Sequence, residues 1–170
     1  MYLALIERES GSMATRGRIG VLRPDGRVES IYNHYDSYPD TEDLGLGAAL
    51  ARGFNDPKLI DELIALGNRR GLYREGENKQ PYDWHNKEDL FDEPSRFDND
   101  ENAFFDNDKD WDIDYKYLYK NGEWFVKPYG EEPRALIKPG AYRERVRNTQ
   151  PNLRRRFKSP LDQANDLLGK

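Results

Sequence analysis

Asn121-Gly122 stands between two β-rich runs, WDIDYKYLYK and EWFVKPY. Asn and Gly both tolerate positive φ, which a two-residue hairpin turn of the right twist requires. Such a turn leaves no freedom in register. It sets Lys120 opposite Glu123, Tyr119 opposite Trp124, and Tyr117 opposite Val126. Cross-strand pairs of this kind are the unit of sheet stability. Side chains alternate along a strand. Trp111, Ile113, Tyr115, Tyr117 and Tyr119 therefore share one face, the expected buried one, and Asp112, Asp114, Lys116 and Lys120 point outward. A lone two-stranded ribbon is marginal in water, so other elements must cover the aromatic face.

A second hairpin is predicted nearer the N-terminus. Residues 15–23 read as a strand with Ile19 and Val21 on one face. Pro24-Asp25-Gly26 is a turn, and Arg27 to His34 returns as the partner strand. Proline presets φ, aspartate bonds locally and glycine takes positive φ. Leu44, Ala48, Ala49 and Phe54 suit a short helix over 44–54. Asn55-Asp56-Pro57 is an acidic cap followed by proline at the first helical position. Leu59, Ile60, Leu63, Ile64 and Leu66 then form a stripe, and Gly67 stops it, which predicts a helix over 57–66. The expected fold class is α+β: a small antiparallel sheet built from two hairpins, with two short helices on one face.

Residues 74–110 hold few aliphatics, many charges, Pro81 and Pro94. They read as a long, poorly structured acidic insertion. Trp84, Leu90, Phe91, Phe97, Phe104 and Phe105 are its candidate anchors. Twelve acids and two bases lie between Glu88 and Asp114, about −10. From Pro133 to Lys170 ten bases face three acids, about +7. Charge segregation of this kind marks interaction segments, or two stretches that neutralise each other. Residues 1–12 are expected to be a mobile leader, 13–132 a single domain, and 133–170 a basic tail. The tail closes in Ser159-Pro160-Leu161-Asp162, a helix start, with Leu161, Ala164, Leu167 and Leu168 on one stripe. So short a helix needs something to dock on.

The chain has no cysteine, which excludes disulfides, thiolate metal sites and cysteine nucleophiles. No run approaches the ~18 apolar residues of a membrane span. The expected location is the cytoplasm of a bacterial host, without a membrane partner. No cofactor motif is evident: Gly45-Leu46-Gly47 lacks the third glycine and the preceding strand of a dinucleotide loop.

The segments TRGRIGV, DGRVESIYNHYDSYP, LGLGAAL and LIDELIALGNRRGL, together with the Tyr-rich ribbon at 115–129, resemble a family of small phage and prophage proteins. The pattern is Thr-Arg-x-x-Ile-Gly, then Ile-Tyr-x-His-x-Asp-x-Tyr-Pro, then a helix closing in Leu-Gly. The resemblance covers roughly 13–72 and 111–129. Two positions depart from it: Tyr35 where the family has Trp, and Ser37 where it has Gly. It implies a phage-type accessory protein and brings no catalytic residues with it.

Tyr32, His34, Asp36 and Tyr38 lie on one face if the chain stays extended past the strand. A histidine and a carboxylate flanked by phenols can orient a ligand or exchange protons. The plainer alternative is a polar network tying the loop to the next helix. Asp106, Asp108 and Asp110 have the opening spacing of a calcium loop. The sixth and twelfth positions are Trp111 and Tyr117, where that loop needs Gly and Glu, so the motif is incomplete. Arg154, Arg155 and Arg156, with Leu161, Leu167 and Leu168, are the candidate partner-binding residues. An acidic whole makes nucleic acid an unlikely main partner, and the −10 segment can instead imitate a phosphate backbone toward a basic host protein. The expected function is binding of a host protein or sequestration of a small ligand, in an anti-defence or host-takeover role. The competing expectation is a small metal- or histidine-assisted hydrolase using His34, Asp36 and the acidic cluster.

Overall fold

The computed structural model describes residues 14–39, 45–72 and 84–136. The expected leader 1–12 lies outside the described residues, as do Arg154, Arg155, Arg156, Leu161, Leu167 and Leu168. Both predicted hairpins are present. β1 (Gly17–Leu22) and β2 (Val28–Asn33) pair antiparallel. Their turn closes with Gly26 N donating to Arg23 O at 2.9 Å. The strands Tyr115–Lys120 and Glu123–Pro128 pair in the predicted register, Lys120 with Glu123, Tyr119 with Trp124 and Tyr117 with Val126. Asn121 and Gly122 take φ of 50° and 79°.

Two shorter strands extend the sheet. Taking β3 (Arg96–Asp98), β4 (Tyr115–Lys120), β5 (Glu123–Pro128) and β6 (Arg134–Ala135), the order is β3-β2-β1-β4-β5-β6. The fold is α+β with an open sheet, but the sheet is mixed and not wholly antiparallel. The hairpins meet through β1 and β4, which run parallel, Gly17 beside Tyr115 and Val21 beside Tyr119. Nothing local dictates that joint. A parallel pair needs a long crossover, and here the helices and the insertion supply it.

The first face of the sheet is apolar. Helices α1 (Leu46–Gly53) and α2 (Pro57–Ala65) cover it. Asp56 caps α2, its side chain accepting from Lys58 N at 2.9 Å. Leu46, Leu50, Phe54, Ile60, Leu63 and Ile64 pack on Ile19, Ile31, Tyr117, Trp124 and Val126. Burial of each large aliphatic contributes about 2 kcal/mol. The ring polar groups end on backbone: Tyr117 Oη donates to Ser37 O at 2.6 Å and Trp124 Nε1 to Phe54 O at 2.8 Å.

The second face was expected to meet water and does not. The described part of the insertion, 84–110, is structured. It carries two 3-10 turns (Lys87–Asp89 and Asp108–Asp110), β3, and the short helix α3 (Glu101–Phe105). Asn86, Asp100 and Asn107 each cap the element that follows, accepting from Glu88 N, Ala103 N and Lys109 N. What reads as a polar, unfoldable run is a series of helix caps. Phe104, Phe105, Val28 and Leu118 form a second small core beneath α3.

Two face assignments change in consequence. Lys116 was expected to point outward and is buried under α3. Trp111 was expected to be buried and is 68% exposed, because β4 begins only at Tyr115 and the residues before it turn.

Candidate functional site

The parallel joint decides where the sequence's marked residues end up. β1 and β4 both start, and β2 and β5 both finish, at one end of the sheet, since Gly17 pairs with Asn33 and with Tyr115, and Tyr115 pairs with Pro128. That end therefore carries Arg16, His34, Asp114 and Tyr129. Backbone bonds lace them together. Asp114 N donates to Arg16 O at 2.9 Å, Arg16 N to the Asp114 carboxylate at 2.9 Å, and Tyr129 N to Asp114 O at 2.8 Å. The loop after β2 and the acidic turn before β4 meet the segment that leads into β1: Ser37 N donates to Thr15 O at 3.0 Å, and Arg16 reaches Asp112 at 3.8 Å.

The four loop residues divide into two pairs. Tyr32 Oη lies 2.6 Å from His34 Nδ1. Tyr38 Oη donates to Asp36 Oδ1 at 3.3 Å. Asp36 has φ of 54°, so the chain reverses there and the predicted alternation stops. Asp36 O and Tyr38 O accept from Leu46 N and Gly47 N at the start of α1. Gly45, at φ 98°, has the Tyr38 ring so close that an added Cβ would stand 2.5 Å from Cδ2. Asp36 and Tyr38 thus tie the loop to the helix through their backbone carbonyls. His34 and Asp36 engage different partners.

Around His34 the fold gathers residues to which the sequence pattern gave no site role. Asn68, Arg69 and Arg70 run beside the end of β2: Arg69 N donates to Tyr32 O at 2.8 Å, His34 N to Arg69 O at 3.1 Å, and Tyr35 N to Arg70 O at 2.7 Å. The His34 ring meets Tyr35 edge-on at 4.4 Å and Phe91 at 6.3 Å. The Arg70 guanidinium lies 4.9 Å from the centre of the Phe91 ring. Burial, and then the positive charges of Arg16 and Arg70, hold the His34 imidazole below its ordinary 6.5. Burial first of all raises the Tyr32 phenol.

Between the acidic turn and the end of β5 lies a hollow of about 460 Å³, within the range of small-ligand sites. Phe105 and Ile113 supply its apolar lining, Lys116 and Lys127 its cations, and Asp106, Asp108 and Asp110 its acids. Trp111 and Tyr129, 68% and 60% exposed, line it too.

The three aspartates do not act alike. Asp106 and Asp108 are exposed. Asp110 is buried, accepts a bidentate pair of bonds from Arg96 at 2.7 Å each, and pairs with Lys116 at 2.8 Å. Burial opposes its charge, but hydrogen bonds from two cations outweigh burial, and its carboxyl is held below the ordinary 3.8. Lys116 has one carboxylate partner, so burial prevails and lowers its ammonium, which also donates to Phe104 O and Phe105 O at the end of α3. Arg18 belongs to the same layer. It donates to the Ser30 hydroxyl and carbonyl, and burial, then repulsion from Arg96, bring it to about 10, still cationic at neutral pH. Among the described residues no cluster of three His, Cys, Asp or Glu could hold a metal ion. None of their helices is long and apolar enough to cross a membrane.

Comparison of the chain with family models, with curated proteins and with solved structures finds no match.

Sequence reasoning gave Arg16, Arg70, Phe91 and Tyr129 no place in the site, although Arg16 stands in the Thr-Arg-x-x-Ile-Gly pattern and Phe91 among the candidate anchors. Both arginines lie in segments quoted for the resemblance, but only the packing of distant segments brings them near His34. The exposure of Trp111 carried a readable signal: Asn107 and Asp108 favour a turn, which delays the strand.

Proposed function

We propose that this is a non-catalytic accessory protein of phage type, which captures a host factor or a small ligand at the end of its sheet where β1 and β4 begin. One observation carries the reading. The two segments that stand out in the sequence, the His34 loop and the acidic turn at 106–114, come to the same end, where Thr15 O accepts from Ser37 N of the loop and Arg16 bonds Asp114 and reaches Asp112 of the turn. That end displays Tyr35, Trp111 and Tyr129, three of the four large hydrophobic residues left exposed among the described residues. Exposed aromatics with charges around them favour recognition. The rest of the polar layer is engaged within the fold: Tyr32 holds the imidazole, Tyr38 holds Asp36, and Arg96 and Lys116 hold Asp110. The phage origin rests on the resemblance alone.

The test is affinity capture from a bacterial lysate with the full chain, with a Tyr35→Ala/Trp111→Ala/Tyr129→Ala variant, and with Arg52→Ala in the exposed last turn of α1 as control. Bound proteins and small molecules are both identified by mass spectrometry. A ligand retained by the wild type and the control, lost by the triple variant and recovered chemically unchanged is the expected result. A ligand recovered as a converted product, or one bound equally by the triple variant, would overturn the proposal.

A further inference from the structure

We propose that Arg16, His34 and Arg70 form a site for a phosphate monoester that carries a planar ring, the phosphate held among the three cationic or donor groups and the ring against Tyr35. The inference rests on reading this end of the sheet as a binding surface and names the chemistry of what binds.

The three groups come from separate parts of the fold: the residue before β1, the residue after β2, and the segment that follows α2. Backbone bonds from His34 and Tyr35 to Arg69 and Arg70 fix two of them against each other. The Phe91 ring lies 6.3 Å from the His34 ring and 4.9 Å from the Arg70 guanidinium, so those two flank one aromatic, and the charges of both Arg16 and Arg70 bear on the imidazole. The charge there is unusual for this chain, whose net charge is −5. Arg23, Arg27 and Arg96 each hold a carboxylate. Arg70, exposed, has the Phe91 ring as its partner among the described residues and no carboxylate. Among the described residues two acids lie beside the group: Asp114, whose carboxylate accepts from Arg16 N at 2.9 Å, and Asp112, which is partly exposed and stands 3.8 Å from the Arg16 guanidinium. A dianion outcompetes them because it meets Arg16, Arg70 and His34 together. Two guanidinium groups give the paired N–H donors that suit phosphate oxygens. Tyr32 Oη lies 2.6 Å from His34 Nδ1, and in the tautomer in which the phenol donates there the imidazole proton sits on Nε2, a third donor. Tyr35, 45% exposed and edge-on to His34, offers an aromatic face for the ring.

The chain has two histidines, His34 and His85, so imidazole resonances of the full-length protein report the site with an internal control. The probes are inorganic phosphate, adenosine 5′-monophosphate and adenosine, titrated at fixed ionic strength. The monophosphate is expected to bind at least tenfold tighter than inorganic phosphate, and adenosine alone weakly. Bound dianion raises the His34 pKa, by reciprocity with binding, and leaves His85 unmoved. Arg70→Ala, an exposed change that keeps the backbone bonds, weakens the monophosphate at least tenfold, about what one charge-assisted hydrogen bond contributes. Tyr35→Ala reduces the monophosphate to the level of inorganic phosphate. An unmoved His34 at millimolar phosphate and monophosphate, or wild-type binding by Arg70→Ala, overturns the site. Equal affinity for phosphate and monophosphate overturns the place for the ring. If lysate capture still depends on Tyr35, Trp111 and Tyr129, such a failure removes the phosphate assignment and leaves the binding surface standing.

Discussion

The two faces of the sheet are held by different physics. Under α1 and α2 lies an aliphatic and aromatic core whose few polar atoms end on backbone carbonyls. Under α3 there are four buried apolar residues and a layer of buried charge: Arg18, Asp98, Asp110 and Lys116, with Arg96 at its edge. The first face gains from removing surface from water, a non-directional effect with little dependence on pH. The second gains only if every charge keeps its partner, because a buried ion left alone costs several kcal/mol. The apolar face tolerates shape errors in small steps. The charged face is strict in geometry and so fixes where α3 and the acidic turn sit.

The largest expected effect is on the apolar face. Leu63→Ala removes a fully buried side chain beneath the sheet and should cost about 3 kcal/mol in urea unfolding. The loss should be the same at pH 7 and pH 3. A loss that shrinks in acid would erase the contrast between the faces.

Asp110→Asn attacks the second face and should cost about 2 kcal/mol at pH 7, since Arg96 and Lys116 then lose their shared counter-charge. The sign of its pH dependence follows from the lowered carboxyl. The native state binds the Asp110 proton less readily than the unfolded chain does. The stability that Asp110 contributes is thus complete above the unfolded value of 3.8 and is lost as pH falls through the lower folded value. Wild type and variant should converge in urea midpoint toward pH 2. Parallel curves from pH 7 to pH 2 would show that the ion pairs contribute nothing.

The smallest effect belongs to Trp111→Ala. Deleting so large an aromatic from a core costs several kcal/mol, but Trp111 is 68% exposed and the change should stay within about 0.5 kcal/mol. A thermal melt is enough to check it. A loss above 2 kcal/mol would mean that Trp111 serves the fold, and it would weaken the case for a recognition surface at this end.

Much of the apolar face was legible. Asn121-Gly122 specified a register that the structure reproduces pair by pair, and Asp56-Pro57 with the stripe to Ile64 specified α2. Those signals are local: a turn geometry, a cap, a period. The charged face was not legible for a matching reason. Asn86, Asp100 and Asn107 looked like disorder because a cap and a loop use the same residue types. Lys116 looked solvent-facing because alternation tells which residues share a face, not whether another element covers it.

The candidate site divides the same way. That His34 follows a strand and that Tyr32 shares its face are properties of a few consecutive residues, and the sequence alone determined them, as it determined both hairpins and the α2 stripe. The parallel pairing of β1 with β4, the cover of α3 over Lys116, and the meeting of Arg16, His34, Arg70 and Phe91 were decided only in three dimensions. Local structure depends on turn sterics and on periods a few residues long. Contacts across 36 to 98 positions, such as Tyr32 with Asn68 or Arg16 with Asp114, depend on which faces bury together, and that choice belongs to the whole chain at once.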